Sequence, residues 1–261
     1  MKKKNNLLKC PDPQTKCKEC PIRNMTLFRD VPEDDLGWMQ EFRESQYLLP
    51  AGEILFRQGE TVCTLYTLFD GWLMLFKTLD NGNRRILRFL LPGDFFGFQV
   101  DGIGPAAGYM HGSQALMEST LCAFPVVRFR SMMQKQPQLT TRLAEMEMHD
   151  MNLCQNHLID TARSSAQQHI AFLLLELFHR ARRQLQNGYD GKTNSIVFPL
   201  TPEDIGDAIG LTSDHVNCIL REMEGEGLIR CQKKRLSILN EEAFMEIGEF
   251  DPHMILPKHL I

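Results

Sequence analysis

The most constraining pattern in the chain is LTPEDIGDAIGLTSDHVNCILREMEGEGLIR, which occupies residues 200–230. Thr201 can cap a helix that has Pro202 at its first position and an acidic residue three positions after the cap. Gly210 suits a left-handed turn, and Thr212 can cap a second helix. Because the apolar residues recur at helical spacing, each helix has one face to bury. The pattern predicts two short helices joined by a glycine turn.

Two short apolar runs, LIRC and RLSIL, come next and flank the basic turn at residues 233–235. Two helices followed by such a hairpin are typical of a winged helix-turn-helix, whose second helix enters the major groove of DNA. The predicted DNA contacts are Thr212, Ser213, Asp214, Asn217, Cys218, Arg221, Lys233, Lys234 and Arg235. A purely structural pair of helices is the alternative interpretation. The basic turn favours DNA, because it lies where a phosphate contact is needed.

Charge supports this interpretation only locally. The chain carries a net charge of −4, and residues 163–239 contain ten basic and nine acidic residues. Since affinity for DNA comes largely from phosphate neutralisation, such a domain depends on where its few cations lie. Arg221, Arg230 and residues 233–235 would supply them, doubled in a dimer. The acidic residues after 240 are predicted to belong to a solvated C-terminal tail.

The preceding part of the chain has a different pattern. Ten of the eighteen glycines lie between Gly52 and Gly112, among short apolar runs such as TLYTLF and RRILRFL. Short β-rich runs separated by turn glycines predict an all-β roll. In FKTLDNGNRRIL, Asn81 and Gly82 suit a type I′ hairpin turn, in which both residues have positive φ.

A helical segment is predicted after Pro137, because no Gly or Pro occurs between Gln138 and Phe178. Its apolar residues lie near a 3.5-residue repeat, which favours pairing with a second copy of the same helix. The predicted dimer contacts are Leu139, Leu143, Met146, Leu153 and Leu158.

With 261 residues, 43% of them hydrophobic, the chain is expected to form two domains in the cytoplasm. Its first residues lack the apolar run of a signal peptide, and its longest apolar run is too short to span a bilayer. The predicted organisation is α+β. It comprises a cysteine-rich segment (1–26), a sensor β-roll (27–136), a dimerisation helix (137–162), a winged helix-turn-helix (163–240) and a tail (241–261).

Three stretches resemble the CRP/FNR family of bacterial transcription regulators over residues 17–240. They are GEILFRQGE at 52–60, LYTLFDGWLMLFKTLDNGNRRILRFLLPGDFFGF at 65–98 and IGDAIGLTSDHVNCILREMEGEGLI at 205–229. The resemblance implies a cyclic-nucleotide-binding-like jelly roll, a long dimerisation helix and a winged helix-turn-helix. It also implies a homodimer that binds double-stranded DNA and RNA polymerase.

The resemblance argues against a cyclic nucleotide as the effector. Nucleotide-binding members carry a Glu for the ribose where this chain has Phe98, and an Arg-Ser pair for the phosphate. The later stretch GYMHGSQAL, residues 108–116, contains no arginine. Without these groups the nucleotide would lose its charge-assisted hydrogen bonds. We expect the roll to bind no cyclic nucleotide.

Cysteines suggest a different effector. The stretch CPDPQTKCKEC, residues 10–20, contains three cysteines. An oxygen-sensing branch of the family holds a 4Fe–4S cluster with N-terminal cysteines and one at the end of the roll, where Cys122 stands here. The branch has a further cysteine where this chain has Thr26, so Cys10 must replace it. The resemblance therefore implies a cluster on Cys10, Cys17, Cys20 and Cys122, four thiolates being the usual number.

Other interpretations stay open. Cys63 is a reserve ligand, and the same cysteines could bind zinc or form a Cys10–Cys17 or Cys17–Cys20 disulfide. His111 could ligate a haem. A rival class is a ligand- or protein-binding module with altered or lost DNA readout, because the family's Glu, Ser or Gly, and Arg on the second helix correspond here to Asp214, Asn217 and Cys218. An enzyme is not expected, since no nucleophile–base pair or phosphate loop is present. The preferred function is a transcription regulator that responds to oxygen or redox state.

Overall fold

The structure is a computed structural model that describes residues 7–12, 14–98, 108–160, 165–184 and 188–255. It divides into two compact units, residues 1–144 and 145–261. The division falls inside a long helix that starts at Gln138. Each unit has its own buried apolar residues, as expected for two domains.

The first unit contains a β-roll. Its strands are β1 (Leu8–Lys9), β2 (Ser45–Leu49), β3 (Ile54–Phe56), β4 (Thr64–Asp70), β5 (Leu73–Thr78), β6 (Arg84–Leu90), β7 (Phe95–Phe96), β8 (Gly112–Ala115) and β9 (Ser119–Pro125). They form two antiparallel sheets, in the orders β1-β2-β9-β4-β7 and β3-β8-β5-β6. The helices are α1 (Glu33–Gln40), α2 (Val126–Lys135) and the start of α3 (Gln138–Asp160). Trp72 and Phe124 are among its largest fully buried side chains. The predicted roll is confirmed.

The hairpin between β5 and β6 differs from the prediction. Only Gly82 of the expected pair has a positive φ, of 84°. The Gly82 amide donates to the Leu79 carbonyl at 2.8 Å, and the Leu79 amide donates to Asn83 at 2.9 Å. The turn is therefore part of a five-residue loop, residues 79–83, in which Gly82 is the left-handed residue, and the predicted type I′ turn is wrong.

Helix α3 buries part of the surface assigned to dimerisation. Leu139 and Leu153 are 1% and 4% exposed, so they belong to the core and are not available to a second copy. Leu143 and Met146 are half-buried. The predicted stripe is therefore wrong for Leu139 and Leu153. The large exposed apolar side chains of this helix are Met148, Met151, Leu158 and Ile159.

The second unit contains the end of α3, four further helices and one small sheet. The helices are α4 (Ala166–Gln184), α5 (Pro202–Ile209), α6 (Ser213–Gly225) and α7 (Glu241–Gly248). The strands are β10 (Tyr189–Asp190), β11 (Ser195–Val197), β12 (Ile229–Gln232) and β13 (Arg235–Ile238), in the order β10-β11-β13-β12. The central part of α4 is buried from Ile170 to Ala181.

Two features of the second unit tie its helices together. The buried carboxylate of Glu176 in α4 pairs with His157 of α3 at 2.9 Å and with Arg180 at 2.8 Å. These two cations hold the pKa of Glu176 well below its usual range, at about 2, despite burial.

Residues 241–248 form α7 with a fully buried Phe244, so the predicted solvated tail is wrong over this stretch.

Candidate functional site

The cysteine-containing N-terminal segment lies on the roll. Strand β1 pairs with β2, and the pairing continues as the Cys10 amide donates to the Gln46 carbonyl at 2.9 Å. The Gln14 side chain accepts from the Gln46 amide at 2.8 Å and donates to the Ser45 hydroxyl at 2.8 Å. The Cys17 amide donates to the Gln40 side chain at 2.9 Å. Polar side chains of the roll therefore hold the segment in place.

Cys122 lies beneath this segment, in the middle of β9, and is 8% exposed. It pairs across the sheet with Gln46 on one side and Thr67 on the other, so the three side chains share one face. The Gln46 amide group donates to the Cys122 sulfur at 3.5 Å, and the Arg43 guanidinium donates to it at 3.8 Å. The sulfur thus accepts two hydrogen bonds.

Three of the predicted ligands meet at one pocket. Cys17, Cys20 and Cys122 all line a small cavity of about 30 Å³. Cys10 is outside this lining, but its thiol interacts electrostatically with Cys122. Cys63 is exposed and does not line the pocket, and its thiol acts instead on Tyr66. Of these two cysteines, Cys10 is the one whose thiol interacts with Cys122.

Burial and one cation act on these thiols in opposite directions. Burial raises the pKa of Cys10, Cys20 and Cys122, and raises that of Cys17 to about 11. The positive charge of Arg43 opposes the rise at all four. A metal that binds here must therefore displace protons from the sulfurs.

The side chains around this pocket have the chemistry that suits a soft, anionic group, but their present spacing does not form a metal site. Within the described residues, no three His, Cys, Asp or Glu side chains are arranged to hold a metal ion. However, Thr67 and Arg23 line the same pocket, and the Thr67 hydroxyl and one Arg23 nitrogen are buried without a hydrogen-bond partner among the described residues. Orphaned donors facing several thiols suit an occupant that accepts hydrogen bonds through sulfur. The chemistry of these side chains fits an iron–sulfur cluster.

In the second unit, α5 and α6 form the predicted pair. Thr201 and Asp204 make a reciprocal capping box, and Pro202 is the first residue of α5. Gly210 ends that helix with a φ of 83°, and the Thr212 hydroxyl accepts from the His215 amide to cap α6. These capping predictions are confirmed.

Helix α6 separates a buried face from an exposed one. Val216, Ile219 and Met223 are buried. The predicted DNA contacts on this helix are exposed, namely Thr212, Ser213, Asp214, Asn217, Cys218 and Arg221. The last four of these line one shallow depression together with Glu222, whose carboxylate accepts from the Cys218 thiol at 3.6 Å.

The hairpin of β12 and β13 turns on two lysines. Gln232 pairs with Arg235, so Lys233 and Lys234 form a two-residue loop, with φ of 51° and 56°. This is the type I′ geometry, normally made by Asn and Gly. Arg235 instead points into the sheet, where it donates to the Ser195 hydroxyl at 2.9 Å and to the Gly188 carbonyl at 3.1 Å. This hairpin is the wing. It exposes Lys233 and Lys234, whereas the third predicted cation, Arg235, has hydrogen-bond partners within the unit.

Comparison with known proteins agrees with both units. Residues 168–247 match the Crp-like helix-turn-helix domain, and residues 48–136 match the cyclic nucleotide-binding domain. The chain belongs to the CRP/FNR family of transcription regulators. The helix-turn-helix match extends through α7, which agrees with the burial of that helix.

Named CRP/FNR relatives cover most of the chain. The nitrogen fixation regulation protein FixK of Bradyrhizobium diazoefficiens is 26% identical over 86% of this chain and 90% of its own. The fumarate and nitrate reduction regulatory protein of Escherichia coli is 23% identical over 89% and 90%. The structure of FixK2 from Bradyrhizobium japonicum has a TM-score of 0.68 at 20% identity, covering 79% of this chain and 98% of that one. At that identity the structural likeness shows the fold.

Family membership settles the general activity. The protein is a DNA-binding transcription regulator and not an enzyme. Helix-turn-helix regulators of this family bind DNA, typically as dimers. Among the helices that the structure describes, none combines the length and apolarity needed to cross a membrane.

The absence of a cyclic nucleotide stays a prediction. Phe98, in the place of the ribose-binding Glu, packs against Phe95 and Phe129 with ring centroids 5.0 and 6.3 Å apart. Phe56 and Tyr109 stack at 3.8 Å inside the roll. The stretch 99–107 lies outside the described residues. The aromatic packing favours a roll filled by its own side chains.

Sequence reasoning missed the residues that support the cysteines. Arg43, Gln46 and Thr67 belong to no motif. The register of β2, β9 and β4 brings Gln46 and Thr67 to Cys122, and Arg43 reaches it from just before β2. Glu222 was also missed, although its position four residues after Cys218 on a helix was a usable signal.

Proposed function

We propose that this CRP/FNR regulator responds to oxygen or redox state through an iron–sulfur cluster held by Cys10, Cys17, Cys20 and Cys122. The observation that carries the proposal is that Cys17 and Cys20 share a pocket with Cys122, which lies more than a hundred positions later in the chain. Cys10 is held beside them by the pairing of β1 with β2. Reduced thiols that converge in this way provide the ligand number that a cluster takes.

The names of the relatives support the same signal. They include regulators of nitrogen fixation and of fumarate and nitrate reduction. When bound, the cluster would supply a group that oxygen can oxidise. The chain's own residues would give up protons at sulfur, compensate the thiolate charge through Arg43 and exclude water by burying Cys122.

The response would reach DNA through a dimer. We place the second copy against the exposed apolar side chains of α3, which are Met148, Met151, Leu158 and Ile159. Of the stripe predicted from the sequence, this surface keeps Leu158. Two copies of α6 would then read a palindrome in double-stranded DNA, with the wing lysines on phosphates. Cytoplasmic location and contact with RNA polymerase belong to the same proposal.

The test is iron and acid-labile sulfide analysis of protein purified without oxygen. We expect about four of each per chain, a brown colour, and loss of both in single Ser variants of the four ligands. Cys154→Ser and Cys231→Ser are matched controls and should keep the cluster. Full iron in Cys10→Ser together with loss in Cys63→Ser would overturn the fourth ligand. A colourless protein that contains zinc would overturn the cluster.

A further inference from the structure

We propose that Arg43 is the positioning residue of the cysteine centre: it latches the N-terminal segment onto the roll before any cofactor arrives and compensates the negative charge of the occupied site. The second half of this inference rests on the proposed function. The latch itself is a property of the protein alone.

Geometry gives the first argument. One nitrogen of Arg43 donates to the Thr15 carbonyl at 2.8 Å and to the Cys122 sulfur at 3.8 Å. Thr15 lies between Cys10 and Cys17, so this nitrogen connects the middle of the cysteine segment to the ligand in the sheet. Gln46 repeats the connection, because its side chain accepts from the Thr15 amide at 3.0 Å and donates to Cys122 at 3.5 Å. The two residues together clamp the segment over Cys122.

Charge gives the second argument. Arg43 is only 9% exposed. In the part of the chain that the structure describes, no carboxylate forms an ion pair with it, and no carboxylate lines the pocket. A buried cation without an anion is costly, and an anion bound beside it would offset that cost. Its hydrogen-bond acceptors are the Thr15 carbonyl and the Cys122 sulfur, so an anion bound in this pocket would lie next to the guanidinium.

The residue type gives the third argument. The planar guanidinium has five donors, so it can hold the Thr15 carbonyl and the Cys122 sulfur while keeping further donors for the pocket. A lysine would supply the charge without the planar guanidinium group. The two substitutions Arg43→Lys and Arg43→Met therefore separate charge from positioning.

The test uses the metal-free, reduced, full-length protein and a short bifunctional thiol reagent. In the unaltered protein we expect cross-links between Cys122 and Cys17 or Cys20, identified by mass spectrometry of the linked peptides. Arg43→Met should lower their yield by about tenfold or more, because it removes the charged hydrogen bonds to the Thr15 carbonyl and the Cys122 sulfur. Arg43→Lys should lower it less, and Arg57→Met, which removes an exposed arginine of the same unit, should not change it.

Each outcome decides one statement. An unchanged cross-link yield in Arg43→Met overturns the latch, whatever metal the protein binds. Should Arg43→Met fail to fold, the yield in Arg43→Lys decides, and a yield equal to that of the unaltered protein overturns the positioning role. If the unaltered protein cross-links but binds no iron, the latch stands and the proposed cluster fails. If it binds iron and Arg43→Met, which removes the charge, binds the same amount with the same stability towards oxygen, charge compensation by Arg43 is overturned.

Discussion

The cysteine centre and the helix-turn-helix, each within its own unit, are built in opposite ways. At the cysteine centre, Gln46 and Arg43 reach Cys122 across 76 and 79 positions of sequence. In the helix-turn-helix, Thr201 and Thr212 each cap a helix by bonding the residue three positions later. The first arrangement exists only when a sheet has formed in the correct register. The second is largely specified by its own short sequence.

This difference predicts which region of the protein each substitution affects. A local substitution in the helix-turn-helix should unfold or weaken that unit and leave the thiols together. A change at Arg43 or Gln46 should release the cysteine segment without altering the helices that read DNA.

The largest effect is expected for Gly206→Ala. A Cβ at Gly206 would lie 2.4 Å from the Leu211 carbonyl oxygen, and that atom belongs to the backbone of the turn. We expect the second unit to lose about 3 kcal/mol or more of its free energy of unfolding and DNA binding to disappear. Gly225→Ala is the control, because its Cβ would meet nothing within 4 Å. It should raise the stability by about 0.5–1 kcal/mol.

Fluorescence makes this test specific. The two tryptophans, Trp38 and Trp72, both lie in the first unit, so their emission follows that unit alone. In Gly206→Ala the denaturant midpoint from circular dichroism should fall in part, while the midpoint from fluorescence stays the same. If both midpoints fall together, the two regions are not independent and the comparison is wrong.

The second prediction concerns what α6 reads. Cys218 cannot make the two-donor contact to guanine that an arginine makes, and each such contact discriminates by about 1–3 kcal/mol. Cys218→Arg should raise the affinity of a dimer for the family's guanine-containing palindrome by about 30-fold to 10⁴-fold. Cys218→Ser, which adds no guanidinium group, is the control. Competition binding at fixed salt measures both.

Glu222 sharpens the second prediction. Its carboxylate is 3.6 Å from the Cys218 sulfur, one helical turn away, so it can pair with an introduced arginine and hold it back from DNA. Cys218→Arg combined with Glu222→Gln should therefore bind more tightly than Cys218→Arg alone. Nanomolar binding of the usual palindrome by the unaltered protein, with no gain in either variant, would contradict the placement of α6 in the groove.

The smallest effect is expected at the wing. Lys233 and Lys234 adopt left-handed φ values that cost a non-glycine residue about 1–2 kcal/mol each. Replacing the pair by Asn-Gly should stabilise the second unit by about 1–2 kcal/mol. It should also reduce the salt dependence of DNA binding by about 3 to 4 units for a dimer that loses four phosphate contacts. Lys192→Asn, which removes an exposed charge elsewhere in this unit, is the control. An unchanged salt slope would show that the lysines do not touch phosphate.

Local signals explain what the sequence could predict. Thr201, Gly210 and Thr212 specify caps and a turn within a few residues, and the structure has them at those positions. The two hairpins show the limit of such signals. Asn81–Gly82 suited a type I′ turn but lies in a longer loop, whereas the type I′ turn at Lys233–Lys234 has no sequence mark. Loop length depends on strand pairing, which a dipeptide does not report.

Long-range contacts explain what could not be predicted. A repeat of 3.5 residues on α3 is satisfied by more than one stripe, and only packing shows that Leu139 and Leu153 face the core. Likewise, resemblance pointed to the cysteines, but nothing in the sequence around Arg43 indicates that it would meet Cys122. Strand register is set by the whole sheet and cannot be read from one strand.

The docked cysteine segment also has a kinetic consequence. Ligands on a free tail must find each other again after one of them dissociates. Ligands on a segment that is docked beside Cys122 stay at a high effective concentration, so rebinding competes with dissociation. A cofactor damaged at one corner would therefore remain attached through its other ligands, and the protein would be repairable in place without being rebuilt from an empty chain.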